Sequence, residues 1–91
     1  MAERHSPEEL LDFPCNYEFK AFGSAADEQF AETVRESVNR VVPISRDALR
    51  TRLSSGGRYQ CVTALVRLEN GTQLTAIYNA LRTIEGLRYL L

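Results

Sequence analysis

Few side chains in this sequence are of the types that do chemistry, and their spacing restricts them further. Cys15 and Cys61 are the only cysteines, stand far apart and form no CxxC motif, while His5, the one histidine, precedes the first patterned segment. Zinc and iron–sulfur centres need such ligands clustered, so neither a metal nor a cofactor is expected, and the two thiols read as small apolar core residues, with a disulfide between them as the alternative that spacing leaves open. A hydrolase or transferase needs a nucleophile beside a base, or two carboxylates facing each other in a pocket. The acids here instead lie along one helical segment at the spacing of a solvated face, so no catalytic residue is assigned and no enzyme is expected.

The arginines are more suggestive. Arg50, Arg52 and Arg67, with Lys20, fall on positions that would share one sheet face, a basic patch able to meet phosphate, a small anionic metabolite or an acidic protein. The plain alternative is that they solubilise an exposed sheet. The run Ser54-Ser55-Gly56-Gly57-Arg58 offers backbone amides, two hydroxyls and a guanidinium to an anion, yet Gly-Gly is also what a tight hairpin needs for geometry alone. Gly23 could admit a ligand to the start of a helix, or could simply turn the chain.

The elements that must position these groups follow from periodicity. Ser6-Pro7-Glu8-Glu9 reads as a capped helix start that Pro14 soon stops, leaving Leu10, Leu11 and Phe13 as one apolar turn against the body. Cys15 to Phe22 alternates as strand one. Ser24 with Asp27 then reads as a helix N-terminus, with Ala26, Phe30, Val34, Val38 and Val41 as the apolar stripe, a Glu36–Arg40 pair outside, and Pro43 beyond the end. Asp47 to Ser54 is strand two. Gly56-Gly57 supplies two positions for positive φ, and Arg58 to Glu69 is strand three, burying Val62, Ala64, Val66 and Leu68. Asn70-Gly71-Thr72 opens helix two on Leu74, Ile77, Tyr78, Leu81 and Ile84, Gly86 stops it, and Leu87 to Leu91 is a final strand. The expected fold is α+β: a ferredoxin-like βαββαβ sandwich, with two helices on one face of a four-stranded antiparallel sheet and strands one and three central. Residues 1–6 are expected to be a disordered segment and 7–91 one domain.

Composition narrows the partners. Eleven Lys+Arg against twelve Asp+Glu give a net charge of −1, which argues against a nucleic-acid binder driven by its overall field. RNA-recognition motifs share this topology and stack bases on strand aromatics, but strand three offers Tyr59 and then Cys61 and Ala64 where further rings would stand. No apolar run reaches the roughly 18 residues of a membrane span, so no membrane partner and a cytoplasmic location are expected. The last strand lies at a sheet edge with Leu87, Tyr89 and Leu91, guarded by Arg88 alone, which suggests homodimerisation or strand addition by a protein partner.

Three segments taken together resemble a known family. They are Leu10-Leu11-Asp12-Phe13-Pro14 leading into Tyr17-Glu18-Phe19-Lys20-Ala21-Phe22-Gly23, the hairpin Ser54 to Tyr59 running into Val62-Thr63, and Tyr78-Asn79-Ala80-Leu81 with the terminal Arg88-Tyr89-Leu90-Leu91. They look like the YbeD-like small bacterial proteins of unknown function. The resemblance implies a ferredoxin-like fold similar to regulatory ACT domains, no established catalysis, and in some bacteria a gene neighbourhood linked to lipoate attachment. Together these readings point to a non-catalytic regulatory or adaptor domain, with nucleic-acid binding on the open sheet face as the alternative.

Overall fold

Alternation of apolar and polar residues drives the chain into a sheet wherever one face can be buried, and the two longest strands show it most clearly. The computed structural model describes residues 11–91. Strand β1, Cys15–Ser24, pairs antiparallel along its length with β3, Tyr59–Leu68, and this pair forms the centre of a four-stranded sheet. The edge strands are β2, Leu49–Leu53, on β3, and β4, Tyr89–Leu90, on β1. Helix α1, Phe30–Asn39, follows β1, and α2, Gly71–Arg82, follows β3. The order of elements and the spatial order β2-β3-β1-β4 are those of the expected βαββαβ sandwich.

The core lies between the helices and one face of the central pair. Phe19 and Ala21 of β1 and Val62, Ala64, Val66 and Leu68 of β3 are buried beneath Phe30, Val34 and Val38 of α1 and Leu74, Ile77 and Leu81 of α2. Large and small residues face each other across the register, Phe19 opposite Ala64 and Tyr17 opposite Val66, which lets the layer fill without voids. Tyr78 closes one end: its ring packs edge-on against Phe19 with centroids 4.9 Å apart, and its hydroxyl lies 2.7 Å from that of Tyr17. Burial, then the neighbouring Tyr17 hydroxyl, raises the Tyr78 pKa above its ordinary 10.0.

Several local expectations are corrected. Helix α1 begins at Phe30, because the preceding loop spends its polar groups otherwise: Ser24 Oγ accepts from the Ala26 amide at 3.2 Å and Asp27 Oδ1 from the Gln29 amide at 3.0 Å. Such local side-chain bonds compete with helix, and Ala26 is accordingly exposed, off the apolar stripe. Gln60, 7% exposed, completes the loop by donating from Nε2 to the carbonyls of Ser24 and Asp27, both at 2.8 Å. The ion pair on α1 is Glu32–Arg35, at 2.6 Å, rather than Glu36–Arg40, and Arg46 joins Glu32 at 3.3 Å. Residues Arg46–Ala48 form a 3-10 turn, so β2 starts at Leu49 rather than Asp47. Of the two hairpin glycines only Gly57 has positive φ, at 70°. Leu87 is tied into a turn by donating its N–H to the Ile84 carbonyl, so bonding to β1 begins only with the Arg88 N–H and the strand proper is Tyr89–Leu90. The expected helix start at Ser6 and the expected disorder of residues 1–6 lie outside the described residues, whereas Leu11 and Phe13 pack against the core.

Candidate functional site

Because side chains alternate across a strand, burying one face of β1 and β3 necessarily turns the other face outward. Both helices cover the first face, and the bare face carries Glu18, Lys20 and Phe22 from β1 with Tyr59, Cys61, Thr63, Leu65 and Arg67 from β3. Register then decides which residues meet. Lys20 and Arg50 flank Thr63 in one cross-strand row, and in the next row Tyr89, Phe22, Cys61 and Arg52 stand side by side.

Three of the expected basic residues therefore converge. Lys20, Arg50 and Arg52 line a shallow hollow of about 360 Å³ together with Glu18, Thr51 and Thr63. Arg50 reaches Glu18 at 3.6 Å, an exposed contact of the kind that contributes little. Lys20 and Arg52 form no ion pair among the described residues. Arg67 shares the face but not the cluster: it lies opposite Asn16, four residues along β3 from Thr63 and so roughly 13 Å away, and approaches Glu69 at 3.9 Å.

The turn residues are placed differently. Ser54 engages two amides of the turn, since its carbonyl accepts from Gly57 N–H at 2.9 Å and its Oγ from Tyr59 N–H at 3.1 Å. Ser55 lines the rim of the bare face beside Ser54, while Arg58 is exposed and its carbonyl accepts from the Ala25 amide at 3.0 Å. Gly23 is buried on the helix side, and a Cβ there would meet the Phe30 ring at 2.7 to 2.8 Å, so its missing side chain makes room for Phe30 rather than for a ligand. The terminal residues divide: Leu87 packs against the core, whereas Tyr89 and Leu91 are 59% and 51% exposed.

Cys15 and Cys61 are both free, and they sit on opposite faces of the sheet near opposite ends of β1. The core reading needs amending for both, since each is only half-buried, and Cys61 lies on the bare face with its sulfur 4.0 Å from the Thr63 hydroxyl. Among the described residues no group of three or more His, Cys, Asp or Glu could hold a metal ion, and no helix is long and apolar enough to cross a membrane. His5 lies outside the described residues. Sequence reasoning assigned no site role to Phe22, which the parity of β1 turns outward, and it missed Gln60, a polar residue on a core-facing position that the alternation of β3 could have revealed.

With the geometry in place, comparison with known proteins becomes informative. A family model described as a protein of unknown function, DUF493, matches residues 8–91. The chain belongs to this family. Its similarity to DUF493 relatives runs the whole length: a UPF0250 protein of Neisseria gonorrhoeae is 35% identical over 100% of both chains. A UPF0250 protein of Idiomarina loihiensis is 33% identical over 92% of this chain and 93% of its own. These are the YbeD-like small bacterial proteins that the three sequence segments resemble. The solution structure of protein HP0495 from H. pylori superposes with a TM-score of 0.67 over 98% of each chain at 12% identity, a likeness of fold. No activity is assigned to the DUF493 family.

Proposed function

We propose that the chain is a non-catalytic regulatory or adaptor module whose bare sheet face takes an anionic group, presented by a small metabolite or by a partner. One observation carries this reading: Lys20 of β1 and Arg50 and Arg52 of β2 meet from either side of β3 in one hollow around Thr63, with Glu18 as the single acidic side chain lining it. Gathering cations from separate strands concentrates positive potential that the net charge of −1 conceals. No nucleophilic role is assigned to Cys61, whose sulfur lies 4.0 Å from the Thr63 hydroxyl.

Calorimetric titration with pyrophosphate, lipoate and free amino acids tests the reading. At least one anion should bind, more weakly as salt is raised, and replacing Arg50 and Arg52 together by alanine should weaken it about tenfold or more, as expected when two charge-assisted contacts are lost. Equal affinity for the double variant would remove the hollow from consideration.

A further inference from the structure

We infer that the anionic ligand of the bare face is single-stranded nucleic acid, its bases stacked at an aromatic corner and its phosphates held by Arg52 and Lys20. This inference rests on the anion-binding reading above and specifies its ligand. Strand β3 taken alone shows one usable ring, Tyr59, but the sheet brings two more to the same corner from other strands. Phe22 of β1 is the register partner of Tyr89 of β4, their rings tilted at 59° with centroids 5.8 Å apart, and Tyr59 stands opposite Ser24, the next bare-face position along β1. Phe22, Tyr59 and Tyr89, with Ser54 and Arg88, enclose a depression of about 520 Å³.

This depression is one end of a trough. Phe22 and Ser54 also line an adjoining depression of about 570 Å³, and that one in turn shares Lys20, Arg52 and Thr63 with the basic hollow. The row Tyr89, Phe22, Cys61, Arg52 crosses the four strands, so about 14 Å separates the backbones of Tyr89 and Arg52. Rings at one end and cations at the other match the two chemistries of a nucleic-acid strand, π-faced bases and a phosphate backbone. The trough is open and shallow, which suits an extended strand contacting several points better than a single enclosed nucleotide. Among side chains the lining carries the cations Lys20, Arg50, Arg52 and Arg88 against the one acid Glu18, which lies at the far end beside Arg50.

Fluorescence anisotropy with labelled U10 RNA, dT10 DNA and an abasic deoxyribose-phosphate decamer tests this, alongside the calorimetric titration with pyrophosphate. At least one base-bearing decamer should bind about 5- to 150-fold tighter than the abasic one, the range that stacking of one base supplies. Tyr89→Ala, at an exposed position, should weaken that decamer at least about fivefold and leave pyrophosphate unaffected, and Phe22→Leu, which keeps an apolar residue, should act in the same direction. Arg52→Ala should lower the salt dependence by about one phosphate contact. Equal binding of abasic and base-bearing decamers, or binding of pyrophosphate with no decamer bound, would overturn the nucleic-acid inference while leaving the anion site standing. Failure of every probe would overturn both.

Discussion

Gln60 is a polar residue in a row of core positions, and its two hydrogen bonds explain why it is there. They add a second donor to the carbonyls of Ser24 and Asp27, which already accept from the Asp27 and Phe30 amides, and so tie the loop leading into α1 to β3. Gln60→Leu should therefore destabilise the fold by about 1–3 kcal/mol, the loss of two hydrogen bonds at about 0.5–1.5 kcal/mol each, as measured by urea unfolding. Gly23→Ala should cost a similar amount, about 1–3 kcal/mol, because its Cβ would press into the Phe30 ring; a change below about 0.5 kcal/mol would show that the ring moves freely. Glu32 is held between Arg35 and Arg46, and the hydrogen bond from Arg35, chiefly, brings its pKa from 4.5 down to about 2. A depressed carboxylate stabilises the fold fully above pH 4.5 and loses that contribution as pH falls toward 2. The stability difference between the native protein and Glu32→Gln, followed by unfolding between pH 6 and pH 3, should thus shrink on acidification. Tyr78 works in the opposite sense: its raised pKa stabilises the fold below pH 10 and the contribution is lost above it. An absorbance titration should show one late-ionising phenol that is missing from Tyr78→Phe.

At the level of elements, the strands with one buried face were legible because burial imposes strict alternation. Val62 to Leu68 shows it, as do the helical stripes of Val34 and Val38 and of Leu74, Ile77 and Leu81. What was not legible were ends and edges. The start of α1 depended on Gln60, far away in sequence, and the start of β2 on a 3-10 turn whose residues alternate as well as a strand does. β2 is exposed from Arg50 to Leu53, so its pattern carries little burial information. The basic cluster was legible in part, since Lys20, Arg50 and Arg52 share a parity, but the exclusion of Arg67 needed the register. The aromatic corner was hidden because its rings come from three strands. The edge strand β4 pairs through two residues, and a second copy added there would extend the sheet beyond it. Deleting Arg88 to Leu91 should convert such a dimer to a monomer in sedimentation, and an unchanged mass would remove β4 as the interface.

For the whole molecule, the division of labour between the two sheet faces is the organising fact. One face is spent on stability, as a chain of 91 residues requires, and the other is left bare with cations and rings gathered on it. The central claim is that the bare face is the working surface, and amide chemical-shift mapping of the whole chain with pyrophosphate tests it most directly. The account predicts that shifts concentrate at Lys20, Arg50, Arg52 and Thr63 and spare the outward faces of α1 and α2. Shifts confined to the helices or to the Ser54–Arg58 turn would contradict it.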